Sequence, residues 1–431
     1  MFREAFEILT FRGGFNTNVV LLGTTLLGVA AGVVGVFALL RKRSLVADAL
    51  AHATLPGIGL AFLAAIGLGL TDAARSLPVL LLGAGVTGVL GVGAIQWLLA
   101  KTRLTEDAAI GLVLGGFFGA GVVVLSVVQG SAAGASAGLS KLIYGQTAAM
   151  GTRDVALMAG VAGAAVVVAL LLLKEMSLVC FDEGFAAVGG WPVGVLDATM
   201  LALVVVVTVS GLQAVGLLLV VALLIIPAVS ARFWTEDLKK LVVLAGGLGG
   251  LCGYAGSAVS ALAPRQPTGA VIVLVGGGVF VVSLLLAPKR GVLAAVWRRL
   301  NFRMRLAADH LLERSFETRE PGAPGADNPA GYALDASEVA ALGERRGWGV
   351  AMRAMLRLHV ARRGLGRLAY DGSFTPSHAG LARGRSVAAN HTKWEKFLHE
   401  RAGVDVTHLD WTVDQVEHVE VAQDETNGEA R

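Results

Sequence analysis

Long apolar runs separated by short polar segments occupy the first 290 residues of the chain. A helix rises about 1.5 Å per residue, so each run is long enough to cross the hydrocarbon core of a bilayer. The sixth and seventh runs share one stretch, interrupted only by Ser210, Gly211 and Gln213, so a re-entrant pair is the alternative to two full spans. The sequence therefore predicts eight or nine transmembrane helices, at 17–40, 46–70, 77–100, 107–128, 153–173, 194–210, 212–231, 239–262 and 268–288.

The composition excludes a soluble protein for this part of the chain. Hydrophobic residues make up 55% of the sequence and charged residues 16%, with 57 glycines. We therefore expect an all-α polytopic membrane protein. Cys180 lies in a predicted loop and Cys252 in a predicted span, which argues against a disulfide or a metal site made from cysteines alone. Residues 1–16 lack a signal-peptide pattern and are interpreted as a short interfacial segment.

Basic residues are distributed unequally between the two sides of the predicted bundle. One side has only Arg75, Lys141 and Arg265. Because positively charged loops stay in the cytoplasm, the crowded side is expected to be cytoplasmic, with the N-terminus outside and the C-terminus inside. The crowded side carries Arg41, Lys42, Arg43, Lys101, Arg103, Lys174, Arg232, Lys239, Lys240, Lys289 and Arg290.

An acid and a histidine stand one helical turn apart within the second apolar run. Asp48 and His52 are four residues apart, which places their Cβ atoms about 6 Å apart on one helix face. Pro56 follows after four more residues and has no N–H, so the carbonyl of His52 loses its helical partner. Ionisable groups inside a membrane usually mark a substrate or ion pathway. The alternative is a polar pair that only holds the bundle together.

The segment 174–193, on the side expected to be cytoplasmic, has the pattern of a short amphipathic helix. Such a helix could lie along the membrane surface or dock into a groove of a partner protein, and the pattern alone favours neither. Its apolar face would carry Phe181, Phe185 and Val188, its start Asp182 and Glu183, and its end Gly189 and Gly190.

Four stretches resemble the permease subunits of ABC-type manganese, zinc and iron importers: SLVADALAHATLPGIGLAF, KLIYGQ, CFDEGFAAVGGWPVGVLD and SGLQAVGLLLVVALLIIPAVSARF. The resemblance implies that Asp48 and His52 lie at the metal pathway, flanked by Gln213 and Pro227. It implies a bacterial plasma-membrane protein that works with an ATPase subunit, a second permease subunit and an extracytoplasmic metal-binding lipoprotein. It also implies that the segment 181–190 is the coupling helix seated on the ATPase, through Phe181, Asp182, Glu183, Phe185 and Gly189.

The chemistry of the acid and histidine pair agrees with this resemblance. A carboxylate and an imidazole suit Mn²⁺, Fe²⁺ or Zn²⁺, and no cysteine stands near them. Two ligands per chain are too few for tight capture, so the ion is expected as a passing substrate, with no permanently bound cofactor. The sequence has no GxxxxGK[ST] phosphate loop, so ATP hydrolysis is assigned to a partner chain and this chain is not expected to be an enzyme.

The composition changes after residue 290. We predict a transmembrane domain over 17–290, a basic juxtamembrane helix over 291–316, a linker over 317–334 and a small cytosolic α+β domain over 335–431. In this last domain the order helix, helix, hairpin, helix is typical of a winged helix.

The end of the chain is similar to the wing and metal-binding segment of diphtheria-toxin-repressor-like, metal-dependent regulators. The matching residues are His391 and Glu395, again four apart, and the pair Glu417 and His418. The resemblance implies a metal site formed by His391, Glu395 and His418 in a tail that senses metal; exposed salt bridges are the alternative. DNA binding is not expected, because acids are spread through the same region and a membrane tether hinders the search for DNA.

Other functions stay open from the sequence. They are a secondary carrier, an ABC permease for a metal chelate such as a siderophore or cobalamin, and a membrane-tethered metal-responsive regulator. Membrane lipid is expected around the helices in every case.

Overall fold

The structure, a computed structural model, describes residues 6–8, 10–12, 14–41, 44–70, 77–130, 150–262, 266–317 and 328–402. Part of the predicted interfacial segment 1–16 and most of the predicted linker 317–334 lie outside the described residues. His418 and the KLIYGQ stretch lie outside them as well. The chain divides into two compact units, Met1–Ala294 and Ala295–Arg431.

The described part of the first unit is entirely helical, because its apolar runs satisfy their own backbone hydrogen bonds only as helices within a bilayer. Its helices are α1 (Phe15–Leu40), α2 (Ser44–Gly67), α3 (Leu77–Lys101), α4 (Glu106–Gly130), α5 (Thr152–Leu171), α6 (Leu173–Phe181), α7 (Glu183–Val188), α8 (Val193–Val215), α9 (Leu217–Trp234), α10 (Leu238–Leu262) and α11 (Thr268–Leu286).

Eight helices among the described residues are long and apolar enough to cross a membrane, and α9 is a shorter apolar helix. The stretch that left the number of spans open contains both α8 and α9, separated at Gly216 (φ +81°). A Cβ built on Gly211 would lie 2.5 Å from Cγ2 of Val220. These two residues would be about 13 Å apart along one continuous helix, so the chain reverses direction near Gly216. The stretch is therefore a tight pair of antiparallel helices.

Glycines bring the backbones of α1 and α10 into direct contact. A Cβ on Gly28 would overlap the carbonyl of Gly249, and a Cβ on Gly249 would overlap the carbonyl of Gly28. At the same interface Thr24 Oγ1 lies 2.9 Å from Ser257 Oγ. Close packing of small residues and hydrogen bonds between hydroxyl groups are what hold helices together in lipid. The most buried of the candidate spans is α1, so it forms the centre of the first unit.

The second unit has a small apolar core of its own. Its elements are the C-terminal part of α12 (Val292–Glu317), α13 (Ala336–Arg345), α14 (Val350–Arg362), β1 (Gly366–Leu368), β2 (Phe374–Pro376) and α15 (His378–Ala402). The strands are antiparallel, and Leu311, Leu356 and Phe374 are fully buried between them and the helices. The order of the elements is the predicted one, and their assignment to the winged-helix class stays a prediction.

Charged groups also help to hold the second unit together. Arg383 donates two hydrogen bonds of 3.1 Å to the carboxylate of Asp309, which is nearly buried. Nearby, burial lowers the pKa of His359, and the positive charges of Arg363 and Arg305 lower it further.

Candidate functional site

Asp48 and His52 lie on the same face of α2, as their four-residue spacing predicts. Oδ1 of Asp48 is 3.6 Å from Nε2 of His52, beyond hydrogen-bond distance. The side chains are 38% and 19% exposed, so neither is sealed within the chain. The buried Nδ1 atom of His52 has no hydrogen-bond partner in the described structure. The pair therefore has oxygen and nitrogen atoms that are not used in hydrogen bonds within the described chain and can act as metal ligands.

Apolar groups from α4 surround the histidine. The ring of Phe118 meets the imidazole edge-on, with centroids 5.0 Å apart, and Phe118 is itself 43% exposed. One turn further along, Pro56 lies inside α2, and a Cβ on Gly121 of α4 would be 3.1 Å from its Cδ. The proline leaves the carbonyl of His52 without a helical N–H donor. A carboxylate, an imidazole and a carbonyl thus share one short segment of α2.

Close packing against α3 fixes the position of this segment. A Cβ on Gly57 would overlap the carbonyl of Gly83 and the hydroxyl of Thr87, and a Cβ on Gly91 would lie 2.9 Å from Cβ of Ala53. The two helices can approach this closely only because the contact residues are small. The orientation of the acid and histidine face is consequently set by packing on the opposite side of α2.

Gln213 and Pro227, the predicted flanking residues, lie on α8 and α9. The side chain of Gln213 is not among those described. Pro227 lines an apolar crevice with Cys252 and Gly276, beside α10 and α11. The contact between α9 and α2 is made instead by Val221, which packs against the cluster that contains Ala51 and Leu55.

No group of three or more His, Cys, Asp or Glu side chains in the described part of the chain is arranged to hold a metal ion. Among the described residues, this site therefore offers only two side chains of these types as metal ligands, Asp48 and His52. Two ligands are fewer than the four of a closed zinc site, so this face cannot act as a tight metal trap by itself.

The amphipathic segment 174–193 contains two helices, α6 and α7, and the predicted coupling helix 181–190 corresponds to α7. The sequence predicted only the second, and α6 forms because Met176 and Val179 can be buried on the bundle. The side chain of Asp182 caps α7 by accepting a 2.8 Å hydrogen bond from the backbone N–H of Phe185.

The large apolar side chains of the segment 181–188 face outward. Phe181 and Phe185 are each 66% exposed and Val188 is 91% exposed. Gly189 is the C-terminal cap, and the chain then turns at Gly190 with φ +78°. The segment 181–188 therefore presents an apolar ridge outside the bundle, as its pattern predicts.

Arg41, which the sequence marks only as one of the basic residues on the crowded side, joins several helices in the structure. Its side chain is 13% exposed and lies 3.0 Å from the carboxylate of Asp197, which is nearly buried at the start of α8. It also donates to the carboxylate of Glu183 at 2.9 Å and to the carbonyl of Val179 at 3.2 Å. The only sequence signal was an acid placed within the first turns of an apolar helix.

The predicted metal ligands of the tail lie at the edge of the described structure. His391 and Glu395 both belong to α15, four residues apart, but their side chains are not among those described. His418 lies outside the described residues. The structure therefore leaves this site as a prediction.

Comparisons with known proteins agree with the geometry of the first unit. Residues 16–287 match the model of the ABC 3 transport family. The chain is 45% identical over 280 residues to the zinc transport system membrane protein TroC of Treponema pallidum, covering 65% of this chain and 92% of that protein. It is 40% identical over 305 residues to the manganese transport system membrane protein MntC of Bacillus subtilis, covering 71% and 68% respectively.

A solved structure has the same fold over the same region. The structure described as PsaBC from Streptococcus pneumoniae in complex with Fab superposes with a TM-score of 0.57 at 28% identity, covering 67% of this chain and 98% of that one. The family match ends at residue 287, before the second unit begins. The chain is a polytopic helical bundle, and the family model matches it over most of its length. The chain therefore belongs to the ABC 3 transport family, as a membrane permease subunit.

Proposed function

We propose that this chain is the permease subunit of an ABC transporter that imports a divalent transition-metal ion, Mn²⁺, Zn²⁺ or Fe²⁺, across the plasma membrane. ATP is hydrolysed by a separate subunit. Relatives at 40% and 45% identity are named for manganese and zinc transport, which supports this class of substrate. The ion is cargo that passes through, and the protein has no resident metal.

The observation that carries the proposal is the state of Asp48 and His52. An unpartnered polar atom buried in a protein costs about 1–3 kcal/mol, so Nδ1 of His52 points to a contact that one chain does not supply. A carboxylate beside an imidazole is a donor set for divalent transition metals. If a second permease chain faces this one across a twofold axis, each contributes one pair, and a passing ion meets four ligands. Weak, brief coordination of this kind allows release.

The partners of the complex follow from the same proposal. The ridge at 181–188 seats on the ATPase subunit, and a metal-binding lipoprotein delivers the ion on the outer side. In this proposal the N-terminus is outside and the C-terminus inside, which the crowding of basic residues on one side supports. In this arrangement the second unit is cytosolic.

We also propose that the second unit is a winged-helix-like sensor in which His391, Glu395 and His418 bind the imported metal. The two described elements that support it are the hairpin of β1 and β2 and the length of α15, which carries His391 and Glu395 one turn apart. Hydrogen exchange of α15 in the full-length protein tests it, with Mn²⁺ added. Protection should rise in the wild type and in His378→Ala, which alters an exposed residue of the same helix. A rise that persists in His391→Ala would contradict the metal site.

Transport assays in proteoliposomes test the main proposal. The permease is reconstituted with its cognate ATPase and binding lipoprotein, and ATP-dependent uptake of radioactive Mn²⁺ and Zn²⁺ is measured. Asp48→Asn keeps the shape of the side chain and removes its negative charge, and His52→Gln removes the imidazole nitrogens while keeping a polar side chain. Loss of an outer-shell partner of a metal ligand already costs a factor of about 10–100, so loss of a ligand itself should lower uptake at least about tenfold. Asp107→Asn, an exposed acid at the start of α4, is the matched control and should transport normally.

The outcome separates this proposal from its alternatives. Uptake within a factor of about two of the wild type in both site variants would refute a role in metal transfer. Uptake of free ion that does not require ATP would favour a secondary carrier. Uptake of a chelate such as a siderophore or cobalamin, with free ion excluded, would favour a chelate permease.

A further inference from the structure

Arg41 joins four parts of the first unit through one side chain. It follows the last residue of α1, the most buried helix, and its guanidinium contacts three other elements. Nε and Nη2 approach Oδ1 of Asp197 in α8 at 3.2 and 3.0 Å. Nη1 donates to Oε2 of Glu183 in α7 at 2.9 Å and to the carbonyl of Val179 in α6 at 3.2 Å. We call these contacts the Arg41 junction.

Each contact of the junction satisfies a group that the fold leaves in need of a partner. The carbonyl of Val179 lies in the last turn of α6, where it has no helical N–H donor. Asp197 is nearly buried, and a buried carboxylate requires a cation. The positive charge also lies at the C-terminal end of α1, where the helix dipole favours it. A planar guanidinium with five N–H donors can serve all of these groups at once, and a lysine cannot.

The two ion pairs of the junction differ in how far they are exposed to solvent. The pair formed with Asp197 is buried, with side chains 13% and 11% exposed, so it is weakly screened and holds α1 to α8. The pair formed with Glu183 reaches a residue that is 59% exposed, on the helix whose apolar ridge points away from the bundle. A displacement of α7 would therefore be transmitted to α1 and α8 through the two ion pairs of Arg41.

Space for movement lies directly beside the junction. A cavity of about 400 Å³ separates the start of α2 from the end of α3 and the start of α8, with Val46, Leu99 and Asp197 in its lining. Val46 lies two residues before Asp48 on α2, which is less than one helical turn. A shift at the start of α8 can consequently change the spacing of the helices around Asp48 without overcoming close packing.

We propose that Arg41 is the positioning residue that transmits displacement of the 181–188 segment to α1 and α8, and so couples ATP hydrolysis to ion release at Asp48 and His52. This inference rests on the proposed function. In this proposal Glu183 forms the outer, exposed ion pair with Arg41, and Asp197 forms the inner, buried ion pair. The expected signature is a loss of coupling, measured as ions transported per ATP hydrolysed, in excess of any loss of stability.

The test compares that ratio in proteoliposomes containing the full transporter, with the amount of assembled complex measured by co-purification. Glu183→Gln removes the charge of the outer contact and leaves the buried pair intact, so the protein should fold. An exposed ion pair contributes little, and the ratio should fall about two- to fivefold. Glu183→Asp retains the charge and should recover most of the ratio. Arg41→Gln breaks the buried pair as well and should lower the ratio at least about tenfold.

A matched control is available on the same chain. Glu236 forms a 2.7 Å ion pair with Arg290 and is 62% exposed, close to the 59% of Glu183, so Glu236→Gln neutralises a similarly exposed acid in an ion pair elsewhere. Its ratio should equal that of the wild type. The inference is overturned if Glu183→Gln and Glu236→Gln give the same ratio, or if Glu183→Asp is as defective as Glu183→Gln. A wild-type complex that moves no metal ion would instead refute the proposed function.

Discussion

The side chain of Asp182 provides a direct test of how the 181–188 segment holds its shape. It caps α7 with a single 2.8 Å hydrogen bond from the N–H of Phe185. Asp182→Ala removes the acceptor, and Asp182→Asn keeps a side-chain oxygen in the same place while removing the charge. Because both variants lose the carboxylate, a difference between them isolates the cap.

The size of the effect follows from the length of the helix. A helix of six residues is too short to persist in water on its own, so α7 depends on its cap, on the turn at Gly190 and on the link of Glu183 to Arg41. Loss of an N-cap costs about 1 kcal/mol, which reduces the ratio of folded to open helix by about fivefold. The affinity for an ATPase subunit that binds the folded helix should fall by up to the same factor.

Two measurements in the full-length protein check this expectation. Amide hydrogen exchange over 183–188 should be about fivefold faster in Asp182→Ala than in the wild type, and close to wild type in Asp182→Asn. Titration with the purified ATPase should show the same order of affinities. Equal exchange rates in the wild type and Asp182→Ala would refute the argument that the cap maintains α7. Equal defects in both variants would show that charge, and not capping, is what matters.

Three further predictions concern packing and protonation. Gly57→Ala forces a methyl group into the backbone of α3 and should destabilise the protein by about 1–3 kcal/mol, lowering its apparent Tm in detergent, whereas Gly85→Ala meets no atom within 4 Å and should not. Thr24→Val removes the hydrogen bond to Ser257 and should cost about 0.6 kcal/mol in the same assay; an unchanged Tm would contradict that estimate. The pKa of His359 is lowered in the folded state, so its contribution to stability is present above the unfolded-state value near pH 6.5 and is lost as the pH falls through the folded-state pKa. Exchange-corrected protection over 350–362 should therefore drop as the pH is lowered below the unfolded-state pKa of about 6.5 in the wild type, and drop less in His359→Gln.

The helices of the first unit could be predicted from the sequence because a bilayer leaves the chain few choices. An apolar run of sufficient length must form a helix there, and the runs at 107–128 and 239–262 became α4 and α10. The relation between Asp48 and His52 could also be predicted, since it depends only on the helical repeat. Both predictions use local rules, which the chain obeys regardless of its partners.

The Arg41 junction could not be predicted because it depends on contacts between distant parts of the chain. Arg41 and Asp197 are 156 residues apart, and many other basic residues on the same side were equally suitable partners in the sequence. The helix α6 was missed for a related reason. Its mixed sequence becomes helical only because Met176 and Val179 find an apolar surface in the folded bundle.

The buried polar atoms of the first unit differ in whether the described chain supplies them with a hydrogen-bond partner. Thr24 and Asp197 find partners inside the chain, and both hold helices together. The hydroxyl groups of Thr208 and Ser230 are buried without a partner, but a neutral hydroxyl costs less to bury than a group that can carry charge. Two groups that can carry charge, Nδ1 of His52 and Oε2 of Glu175, are also buried without a partner in the described part of this unit, and His52 stands beside a carboxylate in an apolar helix. Ionisable groups inside a membrane usually mark a substrate or ion pathway, and under the proposed function a second permease subunit with a passing cation would complete this pair.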